Sequence, residues 1–183
     1  MKIKIKKFKK VRSTNDIALK LIKKNILEPT LITTDNQTNG RGRAGKKWVS
    51  NKGNLFFSLF FKFDQKKIDF KQFAILNALI LKYVISKTIP KKIKIKWPND
   101  LLIKNMKVCG ILQELIKFEK KFFLIIGIGI NTAYSPKNRS FKCISLQETS
   151  DKLISNIDIL LKLKKNYETI FYNYKYNKKL LKA

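Results

Sequence analysis

The stretch LLIKNMKVCGILQELIKFEKKFFLIIGIGI, residues 101–130, decides the fold class because it contains three strand-like segments with no helix between them. The first two, Leu101–Ile103 and Lys107–Ile116, are predicted to pair as a hairpin across Lys104-Asn105-Met106. The third segment, Lys121–Ile130, follows after a short turn. Strands that succeed one another directly favour antiparallel pairing, because a parallel pair needs a long crossover.

Outside this stretch, strands and helices do not alternate regularly. The predicted strands are Lys2–Val11, Pro29–Thr34, Asn54–Phe63 and Lys94–Trp97, and the predicted helices are a segment from Ser13-Thr14-Asn15-Asp16 to about Lys24, Phe70–Ser86 and Ile157–Tyr174. Ser145-x-x-Glu148 fits a capping box. We therefore predict an α+β fold with a mixed, mostly antiparallel sheet flanked by helices. Residues 1–150 are expected to form the core, and the lysine-rich helical segment 151–183 to complete the same domain.

Composition bounds the class of protein. The chain has 183 residues, 44% of them hydrophobic, and no apolar run reaches the ~18 residues of a membrane span. Met1–Arg12 alternates lysine with Ile or Phe and lacks the apolar stretch of a signal peptide, so a cytoplasmic location without membrane contact is expected. The absence of histidine excludes Ser-His triads and histidine-bound zinc. Cys109 and Cys143 are too few for a disulfide framework or a cysteine metal site, and both are expected to be reduced and buried.

The formal net charge of +29 has two interpretations. It is typical of proteins that bind nucleic acid or an acidic partner. Lysine supplies nearly all of the excess, however, since only four of the 41 basic residues are arginine: Arg12, Arg41, Arg43 and Arg139. A/T-rich codons would also produce abundant Lys, Ile and Asn. This compositional explanation is favoured over nucleic-acid binding.

Two of the four arginines lie in the hexapeptide Gly40-Arg41-Gly42-Arg43-Ala44-Gly45, which matches the pattern G-x-G-x-x-G. Glycine lets a backbone approach a ligand closely, and arginine presents a fork of donors to carboxylate or phosphate oxygens. A nicotinamide site is not favoured, because no long helix follows the hexapeptide and no β-α-β unit surrounds it. The loop is instead predicted to enclose an anionic ligand.

Three other regions carry polar residues or glycine where a core would not need them. Ser13-Thr14-Asn15 precedes a helix and by itself predicts an N-cap. Lys96-Trp97-Pro98-Asn99-Asp100 fits a strand end and a tight turn, with Trp97 in the core. Gly110 and the segment Gly127–Asn131 place glycines inside strands, which often marks close approach by a ligand or another backbone.

In order and spacing, these segments resemble the bacterial biotin–protein ligases. The matching text is Ser13-Thr14-Asn15, Gln37-x-x-Gly40-Arg41-Gly42-Arg43-x-Gly45-x-x-Trp48, Gly53-Asn54-Leu55, Lys96-Trp97-Pro98-Asn99-Asp100, Lys107-x-x-Gly110-Ile111-Leu112-x-Glu114 and Gly127-x-Gly129-x-Asn131. The resemblance covers about residues 8–150. It implies a biotin/lipoate ligase catalytic core at residues 1–150, with a fold related to class II aminoacyl-tRNA synthetases.

The resemblance further implies a two-step reaction. Biotin and Mg-ATP would form biotinyl-5′-AMP and pyrophosphate. The ε-amine of a lysine on a biotin carboxyl carrier protein, usually that of acetyl-CoA carboxylase, would then attack the mixed anhydride and release AMP. Because the carrier is typically acidic in this family, the lysine-rich surface would help to steer its docking.

The resemblance also assigns residue roles, which stand here as expectations. Biotin contacts fall on Ser13, Thr14, Asn15, Gln37, Arg41, Gly42, Arg43, Lys107, Gly110, Ile111 and Leu112. ATP contacts fall on Arg43, Trp48, Lys96, Trp97, Asn99 and Asn131. Arg41, Arg43 and Lys107 would neutralise the charge of the carboxylate and phosphates during the reaction. Asp100 would bind Mg²⁺ or deprotonate the incoming lysine.

The chain departs from the family pattern in three places. About twelve residues precede Ser13, so neither the helix-turn-helix of the repressor-type ligases nor DNA binding is expected. The small β-barrel that follows the catalytic domain in many members is not expected either, which would lower nucleotide affinity. Ala44 stands where arginine is frequent. The family often dimerises through the sheet edge, so a homodimer is compatible with the sequence.

Two other functions stay open on the sequence. One is a lipoate or octanoate ligase or transferase of the same fold. The other is a nucleic-acid-binding protein that retains the fold.

Overall fold

Seven strands form one sheet in residues 2–137 and 141–176, the parts of the chain that this computed structural model describes. The strands are β1 (Lys4–Phe8), β2 (Thr30–Thr34), β3 (Leu55–Lys62), β4 (Ile93–Lys96), β5 (Asp100–Ile103), β6 (Met106–Phe118) and β7 (Lys121–Ile130). The α-helices are α1 (Thr14–Lys23), α2 (Phe70–Ser86) and α3 (Asn156–Tyr176). None of these helices is both long enough and apolar enough to cross a membrane.

The strand order is β1-β2-β3-β7-β6-β5-β4. β1 pairs with β2 in parallel, and every other pair in the sheet is antiparallel. The predicted mixed, mostly antiparallel sheet is therefore confirmed, and β1 lies at one edge of it.

The β5–β6 hairpin turns one residue earlier than the sequence suggested. Lys104 and Asn105 both have positive φ, 49° and 61°, as the two central residues of a tight hairpin turn require. Met106 already pairs with Ile103 and belongs to β6.

The two faces of the sheet are packed differently. Phe57, Leu59 and Phe61 of β3 face α2 and α3 in the large core, together with Ile126 and other apolar residues of β7. On the opposite face, Phe60 and Ile125 pack under α1 in a smaller cluster. Further along β3, β6 and β7, this second face carries the small residues Ser58, Gly110, Gly127 and Gly129. The small residues leave a hollow beside the N-terminus of α1.

Two sequence expectations change in detail. β4 ends at Lys96, and Trp97 is 58% exposed in the turn that follows, so its predicted place in the core is wrong. Ser145 and Glu148 do exchange the reciprocal hydrogen bonds of a capping box, but around a short 3-10 helix, Gln147–Thr149. Residues 138–140, and residues 177–183 of the predicted C-terminal segment, lie outside the described residues.

A carboxylate on α3 connects that helix to the start of the chain. Glu168 Oε1 accepts a hydrogen bond from the backbone N–H of Ile3 and a charged one from Lys164 Nζ, both at 2.7 Å. Partial burial alone would raise the pKa of Glu168, but these hydrogen bonds lower it below the usual range of glutamate. The ionised form therefore holds the β1 edge against α3.

Replacing Glu168 with glutamine is expected to lower the melting temperature by about 2 °C at pH 7, since a partly exposed charged contact contributes up to about 1 kcal/mol. Because the native pKa is depressed, this contribution is present above the unfolded pKa of about 4.3 and is lost as the pH falls through the native value. Thermal unfolding at pH 7 and pH 3 should therefore show the difference from wild type shrinking in acid. Glu119→Gln, in the exposed β6–β7 turn, is the control, and a difference that persists at pH 3 would contradict the assignment.

Candidate active site

The hollow beside α1 is a cavity of about 810 Å³ that gathers almost every residue singled out in the sequence. The predicted residues that line it are Ser13, Thr14, Asn15, Gln37, Arg41, Gly42, Arg43, Trp48, Lys96, Asn99, Asp100, Lys107, Gly110, Ile111, Leu112 and Asn131. Trp97 is the exception, because it does not line the cavity and is 58% exposed. Segments that are up to 118 positions apart in sequence (13 to 131) thus meet in one place.

Glycines form the floor of the cavity because an indole lies directly on the strands. Gly110 of β6 is paired with Gly129 of β7. A Cβ atom on Gly110 would lie only 2.6 Å from Cζ3 of Trp48, and one on Gly129 would overlap the same ring. Neighbouring Gly127 is similarly close to the side chain of Asn15. Close approach explains these three glycines.

The glycine loop, defined here as residues 40–48, folds back on itself above this floor. The N–H of Trp48 donates to the carbonyl of Gly40 at 2.9 Å, and the N–H of Gly42 donates to the carbonyl of Lys46 at 2.6 Å. Ala44 and Gly45 form the tip with φ of 54° and 73°. A left-handed conformation costs a non-glycine residue about 1 kcal/mol, so Ala44 is strained where Gly45 is not. The loop is a small hairpin rather than a helix-terminal phosphate cradle.

The inner wall is a network of hydrogen bonds around the N-terminus of α1. Ser13 occupies the N-cap position, but its hydroxyl makes no capping bond. Gln37 Oε1 accepts from the backbone N–H of Thr14 at 2.8 Å and from its hydroxyl at 3.1 Å. Ser58 Oγ is within hydrogen-bond distance of both Thr14 Oγ1 and Asn15 Oδ1. Donors and acceptors are therefore fixed at one end of the cavity.

Arg41 bridges two carboxylates. Its Nη1 lies 2.7 Å from Asp16 Oδ1 on α1, and its Nη2 contacts Glu114 Oε1 on β6. Burial would lower the pKa of Arg41, but the hydrogen bond to Asp16 and the charges of Glu114 and Asp16 raise it above its ordinary value. The guanidinium is thus held by the protein. In the described chain, Arg43 at the loop tip has no such partner and borders the cavity.

The remainder of the lining is strongly basic. Its lysines and arginines are Arg41, Arg43, Lys46, Lys47, Lys96, Lys107 and Lys142, against one carboxylate, Asp100. Lys107 Nζ lies 2.8 Å from Asp100 Oδ1, with both side chains about four-fifths buried. The same ammonium lies 5.2 Å from the ring centre of Trp48 and 5.4 Å from that of Phe141. An anion in this cavity would meet an excess of positive charge.

Three predicted residues are tied to the backbone. Asn99 Nδ2 donates to the carbonyl of Ile111 at 3.2 Å, which fixes the turn after β4 against β6. Asn131 is fully buried, and its Nδ2 lies 3.4 Å from the carbonyls of Lys107 and Ile144. Asn54, from the matching Gly53-Asn54-Leu55 segment, accepts from the N–H groups of Ala133 and Tyr134. Asn131 and Asn54 therefore brace the loop that follows β7.

A metal ion would find few protein ligands here. In the described parts of the chain, no group of three or more Cys, Asp and Glu side chains could hold one. Asp100 offers one carboxylate, already paired with Lys107. Mg²⁺ commonly binds through one carboxylate and the phosphates of its substrate, so this lining suits an ion that arrives with a nucleotide rather than a resident metal.

The sequence assigned no role to four residues that organise the cavity, Asp16, Ser50, Ser58 and Glu114, although Glu114 ends one of the matching segments. Ser58 is a lone hydroxyl in the strand Phe56-Phe57-Ser58-Leu59-Phe60, which was a usable signal. Ser50 accepts a hydrogen bond from Gln37 Nε2 at 3.1 Å.

One of the two cysteines differs from its prediction as a buried residue. Cys109 is fully buried as predicted, whereas Cys143 is partly exposed and borders the cavity. Burial raises the pKa of both thiols, so neither is an activated nucleophile.

Comparison with known proteins gives a consistent result. The sequence profile of the biotin/lipoate A/B protein ligase family matches residues 7–131. The bifunctional ligase/repressor BirA of Bacillus subtilis is 38% identical over 128 residues, covering 69% of this chain and 39% of that protein. The biotin–[acetyl-CoA-carboxylase] ligase of Paracoccus denitrificans is 32% identical over 127 residues, covering 68% of this chain and 52% of its own. The chain thus spans about two fifths to one half of the length of these relatives.

A solved structure agrees over nearly the whole chain. The biotin protein ligase of Aquifex aeolicus, in complex with biotin and ATP, superposes with a TM-score of 0.78 at 29% identity. The match covers 95% of this chain and 72% of that one.

Adding a methyl group at Gly129 is expected to displace Trp48, because the paired strands beneath the ring are buried and cannot move away. In a Trp97→Phe background, Trp48 is the only tryptophan and reports its own surroundings. Gly129→Ala should shift its fluorescence emission to longer wavelength and increase quenching by acrylamide, while thermal unfolding verifies that the sheet is intact. An unchanged Trp48 signal in the folded variant would contradict the close packing.

Proposed function

The chain belongs to the biotin/lipoate A/B protein ligase family, and on that basis we propose that it is a biotin–protein ligase. It would activate biotin with ATP to biotinyl-5′-AMP and transfer the biotinyl group to a lysine of a biotin carboxyl carrier protein. The alternative within the family, a lipoate or octanoate ligase or transferase, would use the same cavity for an acid with an apolar head.

One observation carries the proposal: a single cavity joins a hydrogen-bonding wall to a basic region. Ser13, Thr14 and Gln37 supply donors and acceptors at one end, which suits the ureido ring of biotin. Lipoate and octanoate carry no such polar head, and a wall of this kind would be left with unpaired groups against them. Arg43 and the lysines at the other end suit a carboxylate and a triphosphate.

The first step joins biotin to the nucleotide. A carboxylate oxygen of biotin attacks the α-phosphorus of ATP, the P–O bond to pyrophosphate breaks, and pyrophosphate takes the electron pair. Arg43, whose guanidinium has no protein partner in the described chain, would stabilise the negative charge that develops there. Lys107 would bind the carboxylate or an α-phosphate oxygen, with its charge moderated by Asp100. The backbone at Gly110–Leu112 would lie along the biotin chain.

The second step transfers the biotinyl group. The neutral ε-amine of the carrier lysine attacks the anhydride carbonyl, the nitrogen loses one proton to solvent as the amide bond forms, and AMP leaves with the electron pair of the broken C–O bond. Asp100 would accept a proton from the incoming ammonium, in exchange for its contact with Lys107. Trp48, Lys96 and Asn99 would border the nucleotide, since all three line the cavity. Asn131 would act on the nucleotide through the loop that it braces.

Arg41 is reassigned within this proposal. Its sequence-based role was to neutralise substrate charge, but Asp16 and Glu114 already occupy its guanidinium. Its part is to hold the glycine loop, while its backbone remains available to the ligand. Mg²⁺ would enter with the phosphates of ATP, and binding this ion is the alternative role of Asp100 to accepting the proton of the lysine.

The setting of the reaction belongs to the same proposal. We place it in the cytoplasm, where ATP is available and Cys109 and Cys143 stay unpaired. The carrier would be an acidic acceptor drawn to the lysine-rich surface, without DNA or membrane contact, and a homodimer through the sheet edge is compatible with these roles.

Isotopic exchange between pyrophosphate and ATP tests the activation step. Biotin should support exchange, lipoate and octanoate should not, and a carrier domain added with biotin and Mg-ATP should become labelled on one lysine. Exchange with lipoate alone would favour the other acid. Salt-sensitive binding of DNA or RNA without any exchange would favour a nucleic-acid-binding protein that keeps the fold.

Arg43→Gly is expected to let biotinyl-AMP escape, because it removes the free charge at the loop tip and adds backbone freedom beside strained Ala44. Release of adenylate from the purified enzyme, measured after rapid dilution, should rise on the order of tenfold, equivalent to ~1.4 kcal/mol. Arg43→Lys is the matched control, since it keeps the charge and the backbone and should retain most of the adenylate. Equal retention in wild type and Arg43→Gly would show that the tip does not cover the adenylate.

A further inference from the structure

We propose that Glu114 and Asp16 form a latch that holds the glycine loop closed through Arg41, and that Glu114 couples this closure to the wall that binds the ligand head. Neither carboxylate lines the cavity, so both would be positioning residues rather than catalytic ones. The catalytic consequence of the latch rests on the proposed ligase function, but the latch itself does not.

Two ion pairs, both made by Arg41, connect the glycine loop to the rest of the described protein. In the described chain, the ion pairs of residues 40–48 are those of Arg41 with Asp16 and Glu114. Arg41 lies close to the stem of the hairpin, where it is bridged to Lys47 across the loop. A forked guanidinium reaches two carboxylates on separate elements, which one ammonium does less well. The loop is thereby fixed to α1 and to β6 at once.

Opening of the glycine loop would be unfavourable, because it would separate Arg41 from both carboxylates. If the loop lifts, Arg41 leaves, and the carboxylates of Asp16 and Glu114 face each other without the cation between them. Arg12 offers only a distant compensation, with Nε 3.9 Å from Asp16 Oδ2 and a largely exposed side chain. Like charges in a partly buried site repel, so the carboxylates favour the closed loop.

Glu114 also connects the latch to the inner wall of the cavity. Asn15 Nδ2 donates to the other oxygen of Glu114, Oε2, at 2.6 Å, while its Oδ1 contacts Ser58. Glu114 therefore binds the wall with one oxygen and the loop with the other. A ligand that contacts Asn15 would also hold Glu114 in the rotamer that contacts Arg41. Binding of a ligand at the inner wall would therefore favour closure of the glycine loop.

The structure also supplies a reporter that needs no ligand. Trp48 ends the glycine loop and lies on Gly110 and Gly129, whereas Trp97 is exposed outside the cavity. In a Trp97→Phe background, quenching of Trp48 by acrylamide measures how far the loop is lifted. Gly129→Ala provides the signal of a displaced ring.

The experiment compares Glu114→Gln, Arg41→Met and the double variant in that background. Glu114→Gln should increase Trp48 quenching at least about twofold, and should raise adenylate release and the AMP formed per carrier labelled on the order of tenfold, equivalent to ~1.4 kcal/mol. Arg41→Met breaks the contacts to both carboxylates, so adding Glu114→Gln to it should increase quenching less than Glu114→Gln does in the protein with Arg41, because the Arg41–Glu114 contact is already lost. Glu119→Gln, in the turn between β6 and β7, is the charge-matched control and should give the wild-type results.

The outcomes separate the latch from the ligase. Unchanged quenching in Glu114→Gln, or effects that simply add in the double variant, would overturn the latch even if biotin is activated normally. Increased quenching with no biotin-dependent exchange in wild type would uphold the latch and reject the proposed function. If Glu114→Gln does not fold, Asp16→Asn in the first turn of α1 removes the other contact of the latch and should also increase quenching, whereas Glu114→Asp should retain part of the closure.

Discussion

Close approach of side chains to the backbone of β6 and β7 is the constraint on which the site depends. Gly110, Gly127 and Gly129 lie on the same face of the sheet as α1, and Asn15 of that helix packs on Gly127. With any larger residue there, the indole of Trp48 and the amide of Asn15 would have no room, and the cavity would close or lose its walls. The opposite face of the same strands carries Ile111, Ile126 and Ile128 in the main core, so the strands cannot shift to compensate.

Electrostatics then divides the cavity into parts with different tasks. Where the protein supplies its own anions, as around Arg41, positive charge serves structure. Where it supplies none, as around Arg43, positive charge remains for a ligand. Lys107 stands between these cases, since Asp100 offsets its charge and two aromatic rings shield it from water. A basic cavity is thus not uniformly available to anions, and the pairing of each cation decides its role.

The sequence predicts the fold well where local patterns suffice. Phe70–Ser86 forms α2 with the predicted bounds, because its apolar periodicity is helical and Asp69 and Gln72 cap it. The order of motifs also predicted which residues meet in the cavity. Pairings between distant residues could not be predicted: Arg41 with Glu114 is separated by 73 positions, and Asn15 with Glu114 by 99. A sequence shows that a charge exists, but its partner depends on which strands become neighbours. The prediction that Trp97 lies in the core was wrong for a related reason. A large aromatic residue next to a strand suggests burial, but Trp97 lies in an exposed turn.

The scarcity of arginine becomes informative in this light. The chain uses lysine for 37 of its 41 basic residues, as a compositional bias toward A/T-rich codons would produce. Such a bias replaces arginine wherever a point charge suffices, as at an exposed surface. A lysine cannot replace arginine where a planar fork of donors is needed. Arg41 is such a position, because its two terminal nitrogens bind carboxylates on different elements. The same reasoning applies to Arg43, whose fork has no protein partner in the described chain and therefore fits a ligand with paired oxygens. Lysine therefore supplies most of the net charge of +29, while two of the four arginines lie together in the glycine loop.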